Sequence, residues 1–174
     1  MNLDHEDARQ FIERSAELME EHGFPRMAGR VIGALLICDP PHLSHEDLAE
    51  QLQASKGSIS MSTQLLMRLN VVEKISLPGQ RRHYYRLHKN LLSDFLVKIA
   101  NHIDKERSVV LAGLDVLADA PIDVKRRLIE MLVVSDFVLE EWPGLMSRWD
   151  ERKEALLGKR LSEMAQDAKE GDHK

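Results

Sequence analysis

Between Leu43 and His88 the spacing of apolar side chains changes from a helical period to an alternating one, and no other stretch constrains the fold as tightly. LSHEDLAEQLQASKGSISMSTQLLMRLN reads as two short helices joined by a tight turn. Ser44 followed by Asp47 is a capping-box start for the first, with Asp in place of the usual Glu or Gln. Ser55 can cap the second, which runs to about Asn70. Only Gln53 and Ala54 are left to separate the two, so the second must turn sharply against the first. Val71–Ile75 and His83–Leu87 are β-rich, and Leu77-Pro78-Gly79-Gln80 between them suits a type II turn. The pattern predicts two packed helices followed by a β-hairpin.

Charge marks the same stretch. Residues 55–89 hold seven Lys and Arg (Lys56, Arg68, Lys74, Arg81, Arg82, Arg86, Lys89) against one acid, Glu73, a net of +6. The whole chain carries −5, so the remainder sums to −11. A positive patch on an acidic protein suits docking of a polyanion at one face, and does not suit non-specific coating of nucleic acid. The bland reading is an ordinary solvated basic surface.

The second helix separates into two faces when Ile59 is set inward and each residue is stepped by ~100°. Leu66 and Thr63 fall beside Ile59, flanked by Ser62 and Leu69. Gly57, Ser60, Met61, Gln64 and Arg68 fall opposite, with Ser55, Lys56 and Ser58 at the start, where the helix dipole favours a phosphate. Glycine and short polar side chains let a helix lie deep in a DNA major groove. Gln64 could bond an adenine edge, Ser58 or Ser60 either base or phosphate, and Met61 a thymine methyl. Arg81 and Arg82 stand just after the turn, where a hairpin projects furthest and arginine suits a narrow minor groove. Lys74, His83 and Arg86 lie along the strands, better placed for phosphates. Of Tyr84 and Tyr85 one should pack inward, because strand side chains alternate.

Helices flank this region. Residues 3–22 place Ala8, Phe11, Ile12, Leu18 and Met19 at helical spacing, and Gly23 stops that helix. Pro25 suits the first turn of the next, through MAGRVIGALLIC, which Asp39-Pro40-Pro41 ends. From Leu91 to about Asp119, Leu92, Phe95, Leu96, Ile99, Ile103, Val110, Leu114 and Leu117 form one stripe. Such a helix would be about 43 Å long at ~1.5 Å per residue. Another is expected from Pro121 to Trp142, broken at Pro143-Gly144, then a shorter piece carrying Leu145, Met146, Trp149, Leu156 and Leu157. The long stripes call for a partner, either a second copy or the same chain folded back.

Several other chemistries find little support. There is no run of 18 apolar residues for a membrane span, and the acidic start MNLDHEDARQ does not suit a secretory leader. One cysteine excludes an internal disulfide framework and suits a reducing cytoplasm. Cys38, His42 and His45 have a C-x₃-H-x₂-H spacing, but a fourth metal ligand is missing; Cys38 as a redox sensor lacks a neighbouring base. Phe95, Trp142, Trp149 and several methionines could line an effector pocket, or simply be core. No nucleophile–base pair, phosphate loop or carboxylate pair points to an enzyme, and no cofactor or metal is expected.

In combination, Gly23, Pro25, Arg26, Gly29 and Arg30, then Ser55 to Ser60, then Gly79, Arg81, Tyr84 and Tyr85 resemble the GbsR-like branch of the MarR family of bacterial transcriptional regulators. The resemblance covers about residues 23–88. It implies a mainly α winged helix-turn-helix with a small β-hairpin wing, flanked by N- and C-terminal dimerisation helices. The corresponding division is residues 1–24 for an N-terminal dimerisation helix and 25–89 for the DNA-binding domain. Residues 90–160 form C-terminal dimerisation helices and 161–174 a polar, fraying tail. The resemblance further implies a homodimer that binds an inverted repeat of double-stranded DNA, usually represses, and often answers to a small ligand. The alternatives are a winged helix that binds protein instead, or a structural DNA binder without an effector.

Overall fold

The computed structural model describes residues 6–89 and 91–171. The expected start of the first helix at residue 3 and the last three residues of the tail fall outside them, as does the side chain of Leu92. Two compact units divide the chain, one running to Phe95 and one from Leu96 onward.

The first unit is a helical head with a small sheet. Helix α1 (Glu6–Glu21) and helix α2 (Arg26–Ile37) pack closely together. The inward face of α1 is the row Ala8, Ile12 and Ala16, while Phe11 and Leu18, expected to face in with them, are exposed. Glycines in α2 explain the choice. A Cβ on Gly29 would stand 2.6 Å from the Ala16 Cα, and one on Gly33 3.0 Å from the Ser15 Cβ. Larger side chains on α1 would not admit that approach. Salt links reinforce it: Arg26 reaches Glu13 and Glu20, each at 2.7 Å, and Arg30 lies 2.8 Å from Glu13. Three of the motif residues, Arg26, Gly29 and Arg30, thus serve the α1–α2 joint.

Strand β1 (Leu43–Ser44) leads directly into helix α3 (His45–Gln51), and helix α4 (Lys56–Arg68) follows. The capping box is present: Ser44 Oγ accepts from the Asp47 N–H at 3.1 Å, and the Asp47 carboxylate accepts from the Ser44 N–H at 2.9 Å. The connection between the helices is longer than expected, residues 52–55, and turns through Gln53 at φ +48°. Ser55 caps α4 by accepting from the Ser58 N–H at 3.2 Å. Strands β2 (Val72–Ser76) and β3 (His83–Leu87) form the hairpin, in register Glu73↔Arg86 and Lys74↔Tyr85. Gly79 at φ +75° and the Gln80 N–H to Leu77 O bond of 3.1 Å make the expected turn. β1 adds to β3 through Leu43↔Tyr85, so the sheet has three strands in the order β1-β3-β2. Val31, Leu48, Leu52, Ile59, Leu66, Val72 and Tyr85 fill the shared core.

Helix α5 (Leu91–Val116), which belongs to the second unit from Leu96 onward, has 26 residues and ends three residues short of the expected Asp119. Helix α6 (Ile122–Gly171) is continuous over 50 residues and passes through Pro143, correcting the expected break. A proline removes one helical hydrogen bond and costs roughly 3 kcal/mol. Long helix-forming stretches on either side can absorb that local loss. α6 folds back on α5, since Arg107 pairs with Asp136 and a Cβ on Gly113 would lie 3.0 Å from Leu128. Even so, Val109, Val116, Val134 and Phe137 are all more than 60% exposed. These four lie outside the stripe expected between Leu92 and Leu117, in which Val110 is buried and Leu96, Ile99, Ile103, Leu114 and Leu117 are half-buried.

Candidate nucleic-acid interface

Packing fixes which face of α4 looks outward. Ile59, Ser62, Thr63 and Leu66 are buried against α2, α3 and β2, with the Thr63 hydroxyl donating to Ile59 O at 2.9 Å. That leaves Gly57, Met61, Gln64 and Arg68 exposed in one row, at the four- and three-residue steps of a single helical stripe. Met61 is 74% exposed, a strong apolar projection for a surface residue. Ser58 and Ser60 are half-buried beside the row, and Ser55 and Lys56 are exposed at its start. All eight sequence-predicted α4 residues therefore fall at its start, on its open face or at that face's edge. One feature escaped the sequence: Pro25 and Met27, at the start of α2, wall a groove of about 690 Å³ along this same face. Residues thirty positions away in sequence carry no local signal of that proximity.

The wing supplies the charge. Arg81, Arg82 and His83 are exposed, the first two in the irregular stretch between the Pro-Gly turn and β3. His83 Nδ1 lies 3.4 Å from Ser76 Oγ across the hairpin, a long contact that leaves its edge to solvent. Arg86, expected to meet a phosphate, instead donates from Nε to Glu73 Oε1 at 2.8 Å, in the registered cross-strand pair. Among the described residues, Lys56, Arg68, Lys74, Arg81 and Arg82 have no acidic partner. Tyr85 is the tyrosine that packs inward; Tyr84 meets the His42 ring edge-on at 5.1 Å and so ties the wing to the segment before β1.

Other expected groups do not assemble. Cys38, His42 and His45 form no ligand cluster, and no group of three or more His, Cys, Asp or Glu converges as metal ligands among the described residues. Burial pushes the Cys38 thiol above its usual range, and its Sγ–H faces Leu35 O at 3.6 Å. Phe95 is 53% exposed, and Trp142 and Trp149 are half-buried on α6. A cavity of about 390 Å³ on the second unit is lined by Glu106, Arg127, Glu130, Met131, Val134 and Ser135, and by neither tryptophan. No helix among the described residues is long and apolar enough to cross a membrane.

An exposed polar helix face, capped at its start and accompanied by a hairpin whose tip arginines have no acidic partner among the described residues, is the arrangement a DNA-reading head requires. The chain is 32% identical over 146 residues to the HTH-type transcriptional regulator MmpR5 of Mycobacterium tuberculosis (strain ATCC 25618 / H37Rv), covering 84% of this chain and 88% of that protein. It belongs to the MarR family of winged helix-turn-helix transcriptional regulators. As a MarR-family member it is similar also to the HTH-type transcriptional repressor GbsR of Bacillus subtilis (strain 168), 33% identical over 84 residues, 48% of this chain and 46% of that one. A crystal structure of a transcriptional regulator superposes with a TM-score of 0.70 at 32% identity, covering 84% of this chain and 99% of its own. No family model matches the chain. The MarR family is one of regulators and not of enzymes, in keeping with the absence of a catalytic pattern in the sequence.

Proposed function

We propose that this MarR-family protein is a homodimeric repressor that reads an inverted repeat in double-stranded DNA. In this reading α4 enters the major groove, with Gly57, Met61 and Gln64 toward base edges and Ser60 at the edge of that row, bonded to Gln64. Ser55, Lys56, Ser58 and Arg68 meet the backbone. Arg81 and Arg82 reach the adjacent minor groove, and His83 contacts a phosphate. The observation that carries it is the pairing, in one compact unit, of the exposed row from Gly57 to Arg68 with a wing whose two tip arginines have no acidic partner among the described residues. Repression is supported by the similarity to GbsR, a transcriptional repressor.

Dimerisation is proposed through the apolar faces left on α5 and α6, since Val109, Val116, Val134 and Phe137 exceed what an isolated helix pair leaves to water. Two heads would then read two half-sites. Release of the DNA by a small molecule, and action in the cytoplasm, complete the proposal on the strength of the family alone. A mobility-shift titration combined with a mass measurement tests it: a dimer and a saturable shift on the upstream DNA of its own gene are expected. A monomer, or equal affinity for all duplexes, would overturn it.

A further inference from the structure

Gln64 does not hang free on the open face of α4. Its Nε2 donates to Ser60 Oγ at 3.1 Å, one helical turn earlier. Glutamine has one of the larger rotamer freedoms to lose on forming a contact, so a residue that fixes its amide beforehand lowers the cost of reading. The amide carries two N–H groups and one oxygen, and Ser60 occupies one N–H. A glutamine amide matches adenine N7 and N6 through Oε1 and the N–H on the same side, so the reading assigns the other N–H to Ser60. Ser60 is half-buried and Gln64 exposed, which places the hydroxyl as support and the amide as the group that reaches out.

We infer that Gln64 selects an adenine in each half-site and that Ser60 acts as its positioning residue. This rests on the proposed DNA reading. It assigns Ser60 away from direct base contact, to which the helical projection alone would have given it. Guanine at the same position would present O6 to the amide oxygen and lose one of the two bonds.

The test begins with duplexes selected from a random library by the full-length protein, followed by affinities for each base at every half-site position. Gln64→Ala should lose preference for adenine at one position, by about 5- to 150-fold, the discrimination that one bidentate contact of ~1–3 kcal/mol supplies. Gln64→Glu should shift that position toward cytosine, because a carboxylate can only accept and cytosine N4 donates. Ser60→Ala should weaken preference at the same position, with Ser60→Thr, which keeps the hydroxyl, restoring it. Replacing that adenine by 7-deaza-adenine should cost wild-type protein affinity and leave Gln64→Ala unaffected, a readout independent of folding. A preference that survives Gln64→Ala, or 7-deaza-adenine bound as well as adenine, would overturn the adenine assignment. A change at a different base position in Ser60→Ala would show that Ser60 reads a base itself and overturn its positioning role. Failure to select any sequence would instead refute the DNA reading beneath it.

Discussion

Arg86 Nε donates to Glu73 Oε1 at 2.8 Å across directly opposed positions of β2 and β3. The single acid of the basic segment is thus spent on the one arginine that lies in the body of the hairpin. The result, among the described residues, is a wing whose stem keeps one cation without an acidic partner, Lys74, and whose tip keeps two, Arg81 and Arg82. Removing Glu73 should therefore act on charge more than on fold. Both side chains are about one-third exposed, so the pair is worth little, of order 0.5 kcal/mol. Glu73→Gln should leave the melting temperature within a few degrees and raise affinity for any duplex at low salt. Unchanged affinity together with a large stability loss would show that the pair is structural.

Arg81 and Arg82 stand at the unbalanced tip. Replacing both by Ala should weaken binding across nearly all sequences. The slope of log affinity against log salt should become shallower by about 0.9 for each phosphate that the wing no longer neutralises. Fluorescence anisotropy at four or five salt concentrations measures this. An identical slope and affinity would remove the wing from the interface.

The α1–α2 joint gives a prediction about stability. Gly29→Ala puts a Cβ 2.6 Å from the Ala16 Cα, so one helix must shift, at about 1–3 kcal/mol of overpacking. Gly158, on an exposed turn of α6, has nothing within 4 Å of the equivalent position. There the same change should stabilise, by up to ~1 kcal/mol of helix propensity. Urea unfolding of the two variants should give opposite signs; equal effects would contradict the close approach.

Ser44→Ala removes one half of the α3 capping box and should cost about 0.5–2 kcal/mol. Ser44 is fully buried, so the loss should fall toward the upper end, because the Asp47 N–H is left without its partner. Thermal unfolding followed by far-UV circular dichroism would measure it, and a neutral result would contradict the cap.

Much of the head is legible in the sequence because its signals are local. Ser44 with Asp47, Ser55 with Ser58, and Pro78-Gly79 each act within four residues, and each takes the predicted geometry. The inward face of α4 follows from period alone, and Ile59, Thr63 and Leu66 are all within 1% of complete burial. What is not legible depends on distant partners. β1 is two residues long, too short to show alternation, and exists because β3 offers it an edge. In α1 the bulky Phe11 and Leu18 resemble a buried face; the choice of Ala8, Ile12 and Ala16 is made by glycines a dozen or more residues later. Pro143 resembles a stop because a lone proline usually is one, and the strength of the flanking helix is a summed property. Arg86 reads as free because its partner Glu73 is thirteen residues away, and only the strand register brings them together.

Two such heads acting together on one symmetric site is the central claim. Selection of full-length protein on a random duplex library tests it most directly. The predicted result is enrichment of an inverted repeat whose half-sites lie one helical turn apart, about 10–10.5 base pairs or a multiple, bound by two chains. Enrichment of an unpaired half-site, or of no sequence at all, would contradict it.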